Sequence, residues 1–163
     1  MIEKCSANDF QEIYTIINDA ATAYKGIIPD NCYHHPYMTK EELDKQVTEG
    51  VEFWCYREGE NILGVMGIQN KKEITLIRHA YVRTKVRGTG IGGKLLRHLL
   101  NLTQTPVLIG TWKDASWAIQ FYERHGFQLL NQKDTDILLR RYWSIPQKQA
   151  ENSVVLASAN FKD

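Results

Sequence analysis

The segment Val86-Arg87-Gly88-Thr89-Gly90-Ile91-Gly92-Gly93-Lys94-Leu95-Leu96 carries the most pointed chemistry in the chain. Glycines admit backbone conformations closed to other residues and let a ligand approach the main chain. The run leads from an extended stretch into the start of a helix, where free N–H groups and the helix dipole favour anions. Arg87 and Lys94 add full positive charges beside it. A phosphate or pyrophosphate group suits this combination. The plain alternative is a glycine-rich connector that binds nothing.

Spacing separates the phosphate-binding alternatives. Gly88, Gly93 and Lys94 fit G-x-x-x-x-G-K, but Leu95 stands where a nucleotide-binding P-loop needs Ser or Thr for magnesium. Gly88-Thr89-Gly90-Ile91-Gly92-Gly93 also fits G-x-G-x-x-G, with Asp114 about 20 residues on as a ribose-binding acid. A dinucleotide fold places such glycines after the first strand of several βαβ units. Here several predicted strands precede the turn.

A third reading fits more of the chain. Arg87-x-x-Gly90-x-Gly92, after a strand containing Tyr81-Val82 and before Lys94-Leu95-Leu96, resembles the pyrophosphate-binding motif of the GNAT superfamily of N-acetyltransferases. Downstream, Ala118-Ile119-Gln120-Phe121-Tyr122-Glu123-Arg124-His125-Gly126-Phe127 resembles that superfamily's A-x-x-F-Y-x-x-x-G-F signature. The two motifs cover residues 73–130 closely, and residues 1–72 agree in element order only. Residues 131–150 read as an insertion before the last strand.

The resemblance implies acetyl-CoA as co-substrate, with no metal, in an opening between two splayed central strands. Main-chain groups of Ala80, Tyr81 and Val82 would hold the pantetheine arm and polarise the acetyl carbonyl. Backbone N–H groups of Arg87, Gly88, Thr89, Gly90, Ile91, Gly92 and Gly93 would cradle the pyrophosphate. The family often has Asn at position 115, where this chain has Ala115, so Ser116 is the candidate for that polar contact. Tyr122 matches the tyrosine that protonates the leaving thiolate, a role open to a phenol that stays protonated at neutral pH. The family's strand glutamate is replaced by Leu76. His79 is then the first candidate base, with Glu52, His34 and His35 as others, since imidazole has a suitable unperturbed pKa. The amine would attack the thioester directly, and Cys55 is read as core. The resemblance also adds a homodimer paired through C-terminal strands as an expectation.

These residues need a scaffold, and the rest of the sequence supplies one. The 163 residues suit one domain, 1–163, with 43 % hydrophobic and 24 % charged residues, which is ordinary globular usage. No apolar run reaches the roughly 18 residues of a bilayer span, and the N-terminus does not read as a signal peptide. Cys5, Cys32 and Cys55 are odd in number and far apart, as in a reduced cytoplasmic protein. From Ile74 to Lys113 there are seven Lys and Arg and no Asp or Glu, although the whole chain carries only +1. That local excess points to an anion site rather than to a surface coated for nucleic acid.

Met1–Ser6 reads as a first strand. Asp9 or Asn8 then caps a helix marked by Phe10, Ile13, Ile16, Ile17, Ala20 and Ala21 at helical spacing. After an irregular aromatic loop at 27–38, Thr39 starts a second helix, and strands at 51–57, 62–68 and 73–84 form an antiparallel meander. Leu95 to Leu102 continue the helix after the glycine turn. A strand at 106–112, a helix at 115–125, a strand at 127–130, a short helix at 135–143 and a last strand at 153–156 complete the order. The class is mixed α/β (α+β): a mostly antiparallel sheet of six to seven strands flanked by helices.

The aromatic residues Tyr24, Tyr33, Tyr37, Trp54, Trp112 and Trp143, with His34 and His35, are the raw material for an acceptor pocket. The motifs and the resemblance together point to an N-acetyltransferase acting on a primary amine of a small molecule, with no nucleic acid or membrane partner. A protein lysine as acceptor, a non-catalytic acyl-CoA-binding domain and a nucleotide-binding protein remain the alternatives at this point.

Overall fold

The computed structural model describes residues 1–162. In chain order the elements are β1 (Ile2–Lys4), α1 (Phe10–Ala20), α2 (Lys40–Thr48), β2 (Glu52–Glu58), β3 (Asn61–Asn70), β4 (Thr75–Val82), α3 (Ile91–Leu100), β5 (Val107–Trp112), α4 (Ser116–Arg124), β6 (Gln128–Leu129), α5 (Gln132–Tyr142), α6 (Gln147–Glu151) and β7 (Ser153–Ala157). The strands form one seven-stranded sheet in the order β1-β2-β3-β4-β5-β7-β6. Only β4 and β5 pair in parallel, as the α3 crossover between them requires. This is the mixed, mostly antiparallel sheet expected from the sequence.

Strand alternation sends neighbouring residues to opposite faces. Ile77, Ile109 and Leu156 join Leu95, Leu96 and Leu99 of α3 and Tyr122 of α4 in one core. Leu76, Leu108 and Val155 face the other way, onto Leu138 and Leu139 of α5. On that same second face, Ile13, Ile16 and Ile17 of α1 and Leu43 of α2 pack on Phe53, Cys55 and Val65. The central strand β3 is buried on both faces along its whole interior.

Local chemistry explains most boundaries. The Thr39 hydroxyl accepts from the Glu42 N–H at 3.1 Å and starts α2. Asp9 occupies the cap position of α1, but its carboxylate accepts from the Ser6 N–H at 2.8 Å and from Arg57 instead of closing that helix. Gly126, at φ +88°, stops α4 as expected. The helix expected at 135–143 begins earlier, because the Asn131 side chain accepts from the Asp134 N–H at 2.8 Å and caps a polar first turn. The short α6, which has no apolar periodicity, is an addition to the predicted elements.

Two irregularities open the sheet. On β3 and β4, Val65 opposes Tyr81 and Gly67 opposes Arg78, so His79 and Ala80 face Met66 alone. This is a β-bulge, with His79 at φ +55°. Gly67 belongs to it: a Cβ there would lie 3.0 Å from the Arg78 carbonyl oxygen and 2.8 Å from Val51 Cγ1. Beyond the bulge the neighbouring strand is lost. Pairing of β4 with β5 runs only from Thr75–Val107 to Ile77–Ile109. From there His79–Val82 and Gly110–Trp112 diverge.

Candidate active site

Two cavities meet at that divergence. One, of about 570 Å³, lies on the side of α3 and α4 and is lined by Ala80, Tyr81, Val82, the glycine turn and Tyr122. The other, of about 740 Å³, lies between the loop after α1, α2 and the segment after α5. Tyr24, Ile77, His79, Tyr81, Gly110 and Thr111 line both. The splay therefore makes a passage with a different chamber at each end.

The first chamber is built to meet an anion. The N–H of Arg87 donates to Thr84, and that of Lys94 donates to Gly90. Among the described residues, the intervening N–H groups from Gly88 to Gly93 have no backbone or side-chain acceptor. Gly88 and Gly90 hold φ +77° and +88°, with nothing within 4 Å of where a Cβ would stand. Arg87, Arg97 and Arg124 line the same chamber. The helix expected to follow the turn in fact starts at Ile91, so Gly92 and Gly93 lie in its first turn with their N–H groups still free. These residues fit a pyrophosphate.

The site is held in register by short-side-chain packing and by α1. A Cβ on Gly64 would lie 2.9 Å from Ile91 Cγ2, so α3 sits closer to the sheet than any larger residue would permit. The Thr84 N–H donates to Asp19 at 2.8 Å, and Arg83 bonds the Ile62 carbonyl and Glu12. Part of the basic stretch is thus spent on pinning the end of β4 to the first helix.

Most expected site residues gather here, and a few do not. Ala80, Tyr81, Val82, Arg87, Gly88, Gly90, Ile91, Gly92, Gly93, Tyr122 and His79 line the first chamber. Thr89 is outside the lining, its hydroxyl donating to the Val86 carbonyl at 2.6 Å. Ser116, exposed at the start of α4, is also outside, beside a fully buried Ala115. Glu52 pairs with Lys4 at 3.1 Å on the outer surface and lines neither chamber, so it is removed from the candidate bases. His34 lines the second chamber, whereas His35 does not. Cys55 is fully buried in the core under α1.

The geometry also takes away two side chains on which the nucleotide alternatives relied. Lys94, the P-loop lysine of the spacing argument, points to the Tyr56 ring at 5.5 Å and lines neither chamber. Asp114 is exposed and is likewise outside.

Burial sets the protonation states at the passage. Tyr122 is nearly inaccessible, packed between Phe121 and Phe127 with centroids 5.1 and 6.1 Å away, and burial raises its phenol pKa. Burial likewise raises Tyr24, Tyr37 and Tyr81, which cluster with Trp112, whose indole N–H donates to the Tyr37 hydroxyl at 2.8 Å. All four phenols are protonated at neutral pH. His79 goes the other way: burial, and next the charge of Arg78, push its pKa down to about 3.

Residues that sequence reasoning passed over include Gln46, Arg78, Arg97, Gly110 and Thr111. Of these, Arg78 and Arg97 were visible only as members of the basic stretch, and Gly110 left a signal of its own, since a glycine inside a strand often marks a close approach. Here it accommodates Trp143, whose ring would lie 3.1 Å from a Cβ.

Comparison with known proteins agrees with this arrangement. A family model described as an acetyltransferase (GNAT) domain matches residues 49–129, the span from β2 through β6. The chain belongs to the GNAT superfamily of N-acetyltransferases. It is thereby an acyltransferase. Among curated proteins no relative matches. Solved structures share the fold at low identity. The PaiA N-acetyltransferase from Thermoplasma acidophilum, in complex with coenzyme A, has a TM-score of 0.73 and 13 % identity, covering 97 % of each chain. A GNAT family acetyltransferase from Elizabethkingia anophelis with acetyl-CoA bound has a TM-score of 0.62 and 18 % identity, covering 97 % of this chain and 96 % of its own. N-acetylglutamate synthase from Neisseria gonorrhoeae, complexed with coenzyme A and N-acetyl-glutamate, has a TM-score of 0.66 and 16 % identity, covering 99 % of this chain and 35 % of its own. No helix among the described residues is long and apolar enough to cross a membrane.

Proposed function

We propose that this GNAT protein transfers an acetyl group from acetyl-CoA to the primary amine of a small molecule. One observation carries the reading: a chamber with free backbone donors and a second chamber meet at the end of the β4–β5 pairing. The second, at about 740 Å³, falls in the range of roughly 300–1,000 Å³ usual for small-molecule sites. Acetyl-CoA-bound relatives of the same fold support the cofactor assignment.

Acetyl-CoA would supply an activated thioester. The free N–H groups from Gly88 to Gly93 and the Arg87 guanidinium would hold its pyrophosphate. Main-chain groups of Ala80 to Val82 would bind the pantetheine arm, since β4 has no partner on its β5 side beyond Ile77. The acceptor amine would enter from the second chamber. Tyr122, kept protonated by burial, would donate its hydroxyl proton to the departing sulfur. His79, neutral at the shared wall, would accept a hydrogen bond from the incoming amine, and the proton that the amine loses on attack would leave to water in the second chamber. The free thiols of Cys5, Cys32 and Cys55 suit a reducing compartment, which favours the cytoplasm.

Calorimetric titration with acetyl-CoA, beside ATP–magnesium and NAD, tests the cofactor, and thiol release over a panel of amines tests transfer. Binding of acetyl-CoA alone, with thiol release dependent on an amine, is the expected result. Binding without turnover of any amine would make the chain an acyl-CoA-binding domain, and binding of a nucleotide alone would discard the proposal.

A further inference from the structure

The second chamber contains one charge that its surroundings do not explain. Arg78 lies on β4 just before the bulge and lines this chamber. Its Nη1 donates to Gln69 Oε1 at 3.3 Å, and among the described residues no carboxylate lies within 4.0 Å of its guanidinium. Gln69 is itself buried, and its amide is fixed by donation to the Glu49 carbonyl at 3.0 Å. Arg78 therefore rests against a rigid polar support, with most of its five donors unused.

The neighbouring charges do not satisfy it. Glu42, Lys45, Glu49 and Lys148 line the same chamber but are exposed, whereas Arg78 is half-buried. Glu49 is the carboxylate whose charge reaches Arg78, but it is exposed, stands beyond 4.0 Å from the guanidinium and lies 3.9 Å from Lys45, and solvated rim charges of this kind contribute little. A half-buried guanidinium without a carboxylate is costly, and a ligand anion would remove that cost. The bulge explains its aim: Arg78 and the following His79 both reach the α2 side, one through Gln69 to Glu49 and the other to Gln46. Regular alternation would have sent one of them to the opposite face.

We infer that the acceptor is an amine that also carries a carboxylate, bound through Arg78. This rests on the acetyl-transfer reading above and narrows its substrate class. Arginine matches a carboxylate with two parallel N–H donors, so the contact would fix the orientation of the acceptor as well as hold it.

The test uses matched sets: common α- and ω-amino acids, their amides, and the amines lacking the carboxyl group. Thiol release from acetyl-CoA is measured with the wild-type protein, Arg78→Gln and Arg78→Lys. The free acid of a set should exceed its amide and amine in kcat/KM by on the order of 30-fold. Arg78→Gln should erase that preference through KM, with acetyl-CoA affinity unchanged, and Arg78→Lys should restore part of it. Equal turnover within the sets, or an unaltered preference in Arg78→Gln, overturns the inference and leaves acetyl transfer standing. If no amine is turned over, acetyl transfer itself fails. Titration of the same compounds into CoA-loaded protein, followed by NMR, then decides the inference alone: binding of the acids that Arg78→Gln abolishes supports it, and no binding of the acids overturns it. Thermal unfolding of each variant separates a loss of ligand from a loss of fold.

Discussion

Nε2 of His79 lies 3.2 Å from Oε1 of Gln46, while the imidazole stacks on Phe53 with centroids 6.0 Å apart. An amide oxygen only accepts, so Nε2 carries the proton and Nδ1 remains an acceptor. With its pKa pushed down to about 3, the ring is neutral across the working range of pH. Such a ring accepts a hydrogen bond but does not retain a proton.

A pH profile follows from that state. The rate should show no inflection near pH 6.5, the ordinary imidazole value, and the ring carbon shifts of His79 should be flat there. Stability carries the same signature. The unfolded chain binds the proton near 6.5 and the folded chain only near 3, so the contribution is intact above 6.5 and is lost as pH falls between the two. The slope attributable to this group is at most about 1.4 kcal/mol per pH unit. Denaturant melts of the wild type and His79→Gln at pH 7 and pH 5 measure it as a difference. A ring that titrates near 6.5 would sink this account.

Tyr122 makes a separate prediction. Replacement by Phe removes the hydroxyl and keeps the ring that packs between Phe121 and Phe127. Turnover should fall by roughly 10²–10⁴-fold, the usual worth of a general acid, while acetyl-CoA affinity stays within about twofold. Because burial raises the phenol pKa, the wild-type rate should show no Tyr122 limb below pH 10. An unchanged kcat in Tyr122→Phe would remove the residue from the chemistry.

Gly90 tests the anion cradle. At φ +88° it stands where a side chain is strained even though space is open around it. Gly90→Ala should cost about 1–2 kcal/mol of stability and weaken acetyl-CoA by about tenfold. Coenzyme affinity equal to wild type in a correctly folded Gly90→Ala would show that the turn does not hold the pyrophosphate.

How much of this was legible beforehand depended on which signal each part left. The glycine turn and the helix around Tyr122 announce themselves, because tight backbone approach and helix packing demand particular residues at fixed spacing. The meander was equally plain in its alternation, and Thr39 and Gly126 marked their helix ends through local chemistry. The bulge at His79 was not legible. One extra residue in β4 changes which side chains share a face, and no turn residue advertises it. Arg78 was therefore counted only as part of a basic stretch. Gln46 sits on a polar helix face, where any polar residue would look the same. The stretch read as an insertion at 131–150 became α5, α6 and a link, Trp143 to Pro146, that lines the second chamber. Its role depends on contacts with Gly110 more than thirty residues away in sequence, beyond the reach of periodicity.

That link supplies the last prediction. Trp143 packs over Gly110 at the shared wall of the two chambers, and it lines only the second chamber, the proposed acceptor side. Trp143→Ala would enlarge that chamber and remove a large apolar wall. Amine KM should rise several-fold, on the order of 3–10-fold, with acetyl-CoA affinity unaltered. The converse change, Gly110→Ala, would push its Cβ to within 3.1 Å of the indole and force the ring aside. It should raise KM for bulky amines more than for small ones, because the displaced ring moves into the acceptor space. Steady-state kinetics over amines of graded size reads both effects. If both variants changed acetyl-CoA affinity and left amine KM alone, the two chambers would have to be exchanged.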